Sequence, residues 1–339
     1  MKRILNGSRV KYSFRHNSGA YQYPIAMQHS NNLEEFQLNQ SFLAIGTFDG
    51  VHIGHQAIIK DMAAAAHQHS ASAVVLTFHP HPAVVLGKRT GAFYLTHPNE
   101  KAAYLAELGV DVVITLPFDH QIASLTAFEF ISMVKQHLGL RELWAGQDFA
   151  LGRNREGDLP RLESLGHEFD YRLHIVDKIS SNGDPISSSR IRTLLSEGEV
   201  EPASQLLGRP YHVEGLVIPG DGRGRTIGIP TANLDIWKEK LLPKSGVYVC
   251  KAVHQGKDYP AVTNIGFRPT FENTRPEARV EAHILDIDQD MYGQKLELNL
   301  YTRLRDEMRF PNVQALIEQI HHDIQSTRNY FAVHPILQR

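Results

Sequence analysis

The chain has 339 residues, of which 42% are hydrophobic and 21% are charged, and its formal net charge at pH 7 is -2. These values are ordinary for a globular protein, and the length suits two domains better than one. The near-neutral charge excludes a general electrostatic attraction to nucleic acid or to an acidic membrane surface, so any anion has to be bound locally.

Residues 1–40 combine basic residues with scattered aromatic ones and show no periodicity. We interpret them as an irregular N-terminal extension, with an organelle transit peptide as the alternative. No apolar run approaches the length needed to span a bilayer. Cys250 is the only cysteine, which excludes an intrachain disulfide and a cysteine metal cluster. We therefore expect a cytoplasmic protein without a membrane segment, and no obligate protein partner is evident.

Strand-like and helix-like segments alternate from residue 42 to about residue 195. Their apolar strands and intervening helices predict a parallel sheet covered by helices on both faces. We assign residues 41–198 to this Rossmann-like α/β domain, in which ligands bind at the carboxyl ends of the strands. The predicted strands cover 42–45, 73–78, 111–115, 142–145 and 171–176, and the predicted helices cover 55–68, 99–108, 127–138 and 159–165.

The pattern changes near residues 196–210, after which strand-like segments follow one another without a long helix. Such a succession of five or six strands predicts a small antiparallel β-barrel. An amphipathic segment at 313–327 predicts a C-terminal helix that packs on it. We assign residues 199–339 to this second domain. Its predicted strands cover 213–218, 246–253, 261–265, 280–285 and 295–301.

The histidine motif, GTFDGVHIGH at residues 46–55, lies where the first predicted strand is followed by the first helix. Unpaired backbone N–H groups and the positive end of the helix dipole favour an anion there, and glycines let a ligand approach closely. His52 and His55 share one face if the helix has begun. The motif predicts a phosphate clamp, although a tight connection with solvated imidazoles is the alternative.

Three further clusters end predicted strands or follow them, namely TFHPHP at 77–82, GQDFALG at 146–152 and ISSSRIR at 186–192. Because the carboxyl ends of parallel strands share one edge, all four clusters can face one crevice. The combination favours nucleotidyl transfer, since an anionic phosphate that attacks an α-phosphate needs positioning and hydrogen-bond donors rather than a base. The histidines and prolines at 79–82 favour a rigid loop over a zinc site.

In this hypothesis the two histidines of the motif hydrogen-bond phosphate oxygens. Ser188, Ser189 and Arg192 then hold the leaving pyrophosphate. In the second half, GDGRGRTIGIPTAN at 220–233 suits either a phosphate-facing loop or a glycine-rich hairpin. It is neither a P-loop nor a Rossmann fingerprint, because no GK[ST] follows and both flanks are strand-like.

Over residues 42–325 these motifs resemble the bacterial bifunctional riboflavin kinase/FAD synthetase family. The first-half clusters are similar to its FAD synthetase (FMN adenylyltransferase) module, an HxGH-type nucleotidyltransferase. The 220–233 segment, with NIGFRPT at 264–270, VEAH at 280–283 and LRDEMRF at 304–310, is similar to the riboflavin kinase module in order and spacing. This chain departs from the family pattern in its extended lead-in before residue 40, at His79, where the family often has an acidic residue, and at Leu151, where an aromatic residue is common. The last two departures bear on flavin affinity in the synthetase half.

The resemblance implies two direct in-line transfers without a covalent enzyme intermediate. Riboflavin and ATP give FMN at the C-terminal site, and FMN and ATP give FAD and pyrophosphate at the N-terminal site. Flavins are then substrates and products rather than a prosthetic group. The implied partners are riboflavin, FMN, FAD and ATP, with Mg²⁺ accompanying ATP and no nucleic acid.

The resemblance also implies residue roles. It places Mg²⁺ at Thr231 and Asn233, and it makes Glu281 the base that takes the proton of the ribityl 5'-hydroxyl. This role fits the chemistry, because a neutral alcohol benefits from a base. Asp148 and Arg305 are implied flavin contacts. The implied nucleotide-binding residues are Gly46, Phe48, Gly54, Ser188, Ser189, Gly222, Arg223, Gly224, Arg225 and Gly228.

Two other functions are compatible with the sequence. In one, the N-terminal half transfers an adenylyl or cytidylyl group to another phosphate. In the other, the chain only binds a flavin or nucleotide as a regulatory module. The intact histidine motif, the serine and arginine cluster and Glu281 argue against a pure binder, which has no need of groups that act in a transition state.

Overall fold

The computed structural model describes residues 10–12, 27–177, 179–181, 183–220, 222–268, 277–287 and 289–336. They form two compact units. The first contains the described residues up to Gly91 and Thr96–Ser187, and the second contains Ala92–Leu95 and the residues from Ser188 onward. Among all these residues, none of the helices has the combination of length and apolar character that crossing a membrane requires.

The first unit contains a seven-stranded sheet in the order β1-β2-β5-β4-β3-β6-β7. Every neighbouring pair from β2 to β7 is parallel, and only β1 runs antiparallel to its neighbour. The predicted parallel sheet is thereby confirmed. Its strands are β1 (Val10–Tyr12), β2 (Met27–Ser30), β3 (Ser41–Ile45), β4 (Ser72–Phe78), β5 (Val112–Leu116), β6 (Leu140–Gly146) and β7 (Arg172–Val176), and a small hairpin follows with β8 (Ser180–Ser181) and β9 (Asp184–Pro185).

Helices cover both faces of this sheet. They are α1 (Ile53–Gln68), α2 (Pro82–Val85), α3 (Pro98–Glu107), α4 (His120–Ser124), α5 (Ala127–Leu138) and α6 (Leu159–Phe169), with 3₁₀ turns at Leu33–Glu35 and Arg153–Arg155. Along β3 the side chains alternate between faces. Leu43 and Ile45 pack with α5 and α6, whereas Phe42 and Ala44 pack with α1 and α3. Full burial of each large apolar side chain contributes about 1.5–3 kcal/mol and holds the helices in place.

Part of the predicted irregular extension belongs to the sheet. Residues 27–30 form β2, which pairs in parallel with β5, and Leu33 and Phe36 are buried in the core beside it. The expectation of irregular structure was wrong here because the segment Met-Gln-His-Ser lacks an apolar run, and its strand depends on its neighbour in the sheet. Residues 1–9 and 13–26 lie outside the described residues.

The second unit is built on a closed barrel in the order β10-β11-β14-β13-β12-β15, with antiparallel neighbours. Leu296, Leu298 and Leu300 on one strand are fully buried, which is the alternation a barrel interior requires. The predicted barrel and C-terminal helix are confirmed. The elements are α7 (Ser188–Glu197), α8 (Val200–Leu207), β10 (Tyr211–Ile218), α9 (Arg223–Thr226), β11 (Ala232–Ile236), β12 (Gly246–His254), β13 (Lys257–Arg268), β14 (Glu277–Ile284), β15 (Lys295–Arg305) and α10 (Val313–Val333).

Helix α7 lies in the second compact unit, and the domain bounds at residues 198 and 199 remain a prediction. The segment Ala92–Leu95 also belongs to that unit. It is held there by backbone hydrogen bonds, in which the N–H groups of Phe93 and Tyr94 donate to the carbonyl of Glu239 and the N–H of Leu241 donates to the carbonyl of Tyr94. These hydrogen bonds explain why residues 92–95 belong to the second unit, although they lie between α2 and α3 in the sequence.

Candidate functional site

Three of the four predicted clusters follow strands that are neighbours in the first unit. The histidine motif follows β3, the 77–82 cluster spans the end of β4, and the 146–152 cluster begins at the last residue of β6. Because β4, β3 and β6 are adjacent and parallel, these clusters lie at one edge of the sheet. The strand order changes direction between β3 and β6, which is where open α/β sheets bind ligands. The fourth cluster begins α7 in the second unit, so its predicted place opposite the histidines remains a prediction.

The turn that precedes α1 has a special backbone. Phe48, Gly50 and Val51 have φ values of 44°, 83° and 41°, which lie in the left-handed region. A Cβ atom on Gly46 would lie 3.0 Å from the ring of Phe48, so a glycine leaves room for that ring. The carboxylate of Asp49 accepts hydrogen bonds of 3.1 Å from both the N–H and the hydroxyl of Thr96. These contacts fix the loop that leads into the two histidines.

His52 is the N-cap of α1, where its Nδ1 accepts a hydrogen bond of 3.2 Å from the N–H of His55. The two imidazole rings stack with centroids 3.5 Å apart and an angle of 17° between their planes. A Cβ atom on Gly54 would lie 3.2 Å from ring atoms of His52, which is a tight contact. The spacing of the motif therefore places both histidines at the helix start, as predicted, and Gly54 permits their stacking.

His55 is a neutral side chain at neutral pH. Burial, followed by the charges of His52 and Lys101, holds its pKa well below the ordinary value of 6.5. Its Nδ1 is buried and has no hydrogen-bond partner among the described residues. A buried polar atom of this kind calls for a ligand or water to satisfy it. The ring can therefore hydrogen-bond a phosphate oxygen, but it does not itself bring a positive charge.

Lys101 is a buried cation beneath the histidine motif that the sequence reasoning missed. Its side chain belongs to α3, the residue is 5% exposed, and its Nζ donates to the carbonyl of Thr47 and to the hydroxyl of Thr77, both at 2.8 Å. Burial lowers the pKa of Lys101 to about 8, and the nearby Asp49 opposes that shift. A signal was present, since Lys101 lies four residues before the buried Leu105 on the same helix face.

Asp148 and Arg192, two other predicted site residues, have identifiable neighbours. Asp148 is exposed after β6, and its carbonyl accepts a hydrogen bond of 2.8 Å from Arg155. The Nε of Arg192 donates to the carbonyl of Phe93 at 2.8 Å, and its guanidinium carbon lies 4.9 Å from the centroid of the Phe93 ring. Part of the Arg192 guanidinium is thus engaged with the 92–95 segment. Ser188 and Ser189 form the first turn of α7.

The second unit contains a cavity of about 420 Å³, which we call the barrel pocket. The register of the sheet explains why its polar residues meet. Asn233 on β11 lies opposite Glu281 on β14, which lies opposite Asn264 on β13. The predicted site residues Gly222, Gly224, Thr231, Asn233, Glu281 and Arg305 all line the pocket, together with apolar residues such as Phe310 and Leu316. Residues distant in the sequence are therefore brought to one site.

Two ion pairs shape the wall of the barrel pocket. Glu281 pairs with Arg279, two residues earlier on the same strand face. Arg305, the predicted flavin contact, is held by Asp323 of α10 through bonds of 3.1 Å from Nε to both carboxylate oxygens and 2.7 Å from Nη2. Asp323 is 2% exposed, so this pair fixes the helix to the barrel. The carboxylate of Glu281 remains partly accessible, with its side chain 22% exposed.

The described part of the glycine-rich segment, residues 220 and 222–233, contains a short helical turn. Residues 223–226 form the single helical turn α9, and Gly222 and Gly228 have φ values of 70° and 77°. A Cβ atom on Gly224 would lie 2.3 Å from the carbonyl oxygen of Ile229, so only glycine fits this turn. The side chains of the predicted nucleotide-binding residues Arg223 and Arg225 lie outside the described residues.

Another group of side chains in the second unit is spaced closely enough to hold a metal ion. In the part of the chain that the structure describes, His212, Glu214 and Glu297 have donor atoms within 4.8 Å of one another. None of the three lines the barrel pocket. Burial, followed by the charge of Lys240, lowers the pKa of His212 to about 3, and Lys295 pairs with Glu214 at 2.7 Å. The predicted metal ligands Thr231 and Asn233 are instead neutral oxygen donors.

Comparison with known proteins identifies two families along the chain. Residues 34–190 match the FAD synthetase family, and residues 207–331 match the riboflavin kinase family. The chain is similar to the bifunctional riboflavin kinase/FMN adenylyltransferase of Listeria monocytogenes, with 39% identity over 91% of this chain and 98% of the relative. It is also similar to the proteins of the same name from Bacillus subtilis, with 38% identity over 91% and 98%, and Escherichia coli, with 36% over 89% and 96%.

A crystal structure described as a macrolide-efflux protein from Streptococcus pneumoniae is also similar, with a TM-score of 0.80 and 33% identity over 89% of this chain and 98% of that one. The resemblance drawn from the sequence motifs is confirmed, because both family matches and the relatives extend over nearly the whole chain. The chain belongs to the bifunctional riboflavin kinase/FMN adenylyltransferase family.

Proposed function

We propose that the two activities of the family are divided between the two compact units. The protein phosphorylates riboflavin to FMN and adenylylates FMN to FAD, with the first step in the barrel pocket and the second at the histidine motif. The observation that carries this division is the position of the family matches. The FAD synthetase match covers residues 34–190, most of which form the first unit, and the riboflavin kinase match covers residues 207–331 within the second.

In the barrel pocket, Glu281 takes the proton of the ribityl 5'-hydroxyl as that oxygen attacks the γ-phosphorus of ATP. The new oxygen–phosphorus bond forms while the bond to the β-phosphate oxygen breaks, and ADP leaves. A neutral alcohol is a weak nucleophile, so a carboxylate base within the pocket accelerates this step. Arg279 pairs with Glu281. The ribityl hydroxyl therefore either binds the Glu281 carboxylate together with the Arg279 guanidinium or displaces that guanidinium.

Thr231 and Asn233 suit a divalent cation at this site. Both line the barrel pocket beside Glu281, and they offer a hydroxyl and an amide oxygen, the hard donors that Mg²⁺ prefers alongside substrate phosphates. Kinases and adenylyltransferases of these families use ATP with a divalent metal, and we propose Mg²⁺ here. When bound, the ion neutralises charge on the transferring phosphoryl group. Arg305 forms part of the wall of the flavin site, and the carboxylate of Asp323 holds the Arg305 guanidinium in place.

At the histidine motif, a phosphate oxygen of FMN attacks the α-phosphorus of ATP, and the bond to the β-phosphate oxygen breaks to release pyrophosphate. The nucleophile is already an anion, so no base is needed and the site acts by positioning and hydrogen bonding. His52 and His55 donate to phosphate oxygens of ATP. Ser188, Ser189 and Arg192 take the pyrophosphate, and Asp148 contacts the flavin.

Chromatography of flavins after incubation with riboflavin, ATP and Mg²⁺ tests the proposal in one run. We expect FMN to appear first and FAD to follow, and neither to form when a chelator replaces the metal. FMN without FAD, together with adenylyl transfer to another phosphorylated acceptor, would reject the second activity. Absence of both products in a protein that binds flavin would reject catalysis altogether.

A further inference from the structure

Lys101 is a buried cation that contacts the backbone of the histidine motif and has no part in either transfer step as proposed. Its ammonium group is 2.8 Å from both the carbonyl oxygen of Thr47 and the hydroxyl oxygen of Thr77. The hydroxyl of Thr77 donates in turn to the same carbonyl at 3.0 Å. A buried ammonium is costly, so a chain that keeps one beneath a candidate anion site has a use for its charge or its hydrogen bonds.

The hydrogen bonds of Lys101 reach the backbone at the start of the strained turn. Thr47 directly precedes Phe48, Gly50 and Val51, the residues with positive φ. Since a carbonyl held by two donors cannot rotate freely, Lys101 and Thr77 fix the peptide plane from which the turn begins. The turn ends at the N-cap His52, so its conformation sets the position of both stacked rings.

The charge of Lys101 answers a second need of the site. His55 is neutral at neutral pH, and Lys101 is itself one of the causes of its lowered pKa. That imidazole therefore brings no positive charge of its own to the clamp at neutral pH. Asp49 faces Lys101 and offsets part of its charge, but the carboxylate also accepts two hydrogen bonds from Thr96. The ammonium remains a source of positive potential behind the motif.

We propose that Lys101 is a positioning residue for FMN adenylylation, which fixes residues 47–51 beneath the histidines and supplies positive potential to the bound phosphates. This inference rests on the assignment of adenylylation to the histidine motif. Lys101 acts through Thr47 and through its field, without contact to the reacting atoms.

A pH dependence follows from the groups that surround the ammonium. Lys101 faces Asp49 on the turn, His55 on α1 and His29 on β2. Burial lowers the pKa of both histidines, and the charge of Lys101 lowers it further. Both are neutral from pH 7 upward, and the phosphates of FMN and ATP, whose last pKa is about 6, are already ionised. The charge of Lys101 is lost as the pH rises through about 8. FAD formation therefore falls above that pH.

The stability of the fold changes in the opposite direction. Lys101 has a pKa of about 8 in the folded protein and an ordinary value of 10.5. Between these values the unfolded chain binds more protons than the folded one, so the contribution of Lys101 to stability rises with pH. A loss of FAD formation in this interval is then not a loss of folded protein, and thermal unfolding measured at each pH separates the two.

The first measurement is kcat/KM for ATP in FAD formation by the wild-type protein, from about pH 7 to about pH 9.5, because this ratio reports the pKa of a group in the free enzyme. We expect a decline that approaches tenfold per pH unit above the pKa, as one required proton demands. Riboflavin phosphorylation, measured in the same samples, reports on general inactivation. A flat FAD profile over this range would overturn the proposal.

The second measurement compares Lys101→Met with Lys60→Met, an exposed lysine of α1. Lys101→Met should reduce FAD formation about 10- to 100-fold, mainly in kcat, and its residual rate should lack the alkaline decline. Lys60→Met should match the wild type. A residual rate that still declines above pH 8, or FAD formation within twofold of the wild type, contradicts the role of Lys101. If His52→Ala/His55→Ala retains FAD formation, the assignment of the reaction to this motif fails instead.

Discussion

In the proposed reactions, the two candidate sites use the same cosubstrate, ATP, with nucleophiles of different kinds. At the histidine motif the proposed nucleophile is a phosphate anion, and the structure contains a neutral imidazole, a capped helix start and a buried ammonium. In the barrel pocket the proposed nucleophile is an alcohol, and the structure contains a partly exposed carboxylate beside neutral oxygen donors. The two sites differ because an alcohol has to lose a proton during its attack, whereas a phosphate anion does not.

The two sites also differ in how their geometry is fixed. The histidine motif depends on a short turn with positive φ values and on hydrogen bonds to one peptide plane. The geometry of the barrel pocket depends on strand register, which places Asn233 of β11 directly opposite Glu281 of β14. We therefore expect the first site to be sensitive to small local changes, whereas the second tolerates them until its ion pairs to α10 are broken.

The largest expected effect comes from removal of both histidines. His52→Ala/His55→Ala should lower FAD formation about 10⁴-fold, since loss of one preorganised hydrogen-bond donor to developing charge typically costs about 10²-fold and two are removed. FMN formation from riboflavin should be unchanged. Flavin chromatography measures both products from one incubation. If FMN formation falls equally in a folded protein, the division of the two reactions between the units is wrong.

The reciprocal change is Glu281→Ala. Riboflavin phosphorylation should fall about 10²- to 10³-fold, the usual contribution of a general base, while FAD formation from supplied FMN continues. Glu214→Ala is a matched control, because Glu214 lies on β10 outside the pocket lining. Normal phosphorylation by Glu281→Ala would remove Glu281 from the role of base.

Much of this comparison was predictable from the sequence. Strands β3 to β5 are continuous apolar runs, which marks buried parallel strands, and the clusters at their ends locate the edge where a ligand binds. The barrel followed from a succession of strands without long helices. The roles at Thr231, Asn233 and Glu281 came from family resemblance, because spacing alone does not reveal which residues the register brings together.

Other features depend on tertiary contacts that local patterns encode weakly or not at all. Lys101 was missed because a lysine on a helix normally indicates a solvated face, whereas here the carbonyl of Thr47 makes its burial tolerable. Strand β2 was missed because its residues are mixed in polarity and its neighbour β5 determines its conformation. The pairing of Arg305 with Asp323 joins residues 18 positions apart on a strand and a helix, and only packing brings them together.

An intermediate effect is expected at this ion pair. Asp323→Asn should destabilise the second unit by about 2 to 4 kcal/mol, because it leaves the largely buried Arg305 without its counter-charge. Asp286→Asn is the matched control, since its pair with Arg328 of the same helix is much more exposed and contributes less than about 1 kcal/mol. Chemical unfolding followed by loss of riboflavin phosphorylation reports on this unit. Equal effects of both changes would show that burial of the pair is unimportant.

The smallest change tests the sensitivity of the histidine motif most directly. In Gly54→Ala the new Cβ atom would lie 3.2 Å from the ring of His52, so that ring has to move by a few tenths of an ångström. We expect FAD formation to fall about 3- to 10-fold, since catalysis depends steeply on position, while riboflavin phosphorylation is unchanged. Alanine favours a helix over glycine by about 1 kcal/mol, so α1 itself should not weaken.

Ala64→Gly, on the exposed side of α1, supplies the converse control. It should lower helix stability by about 1 kcal/mol without contact to His52 and should leave the FAD rate unaltered. If Ala64→Gly slows FAD formation as much as Gly54→Ala does, the reaction responds to the stability of α1. If only Gly54→Ala slows it, the position of the His52 ring limits the rate, as the tight stacking of the two imidazoles leads us to expect.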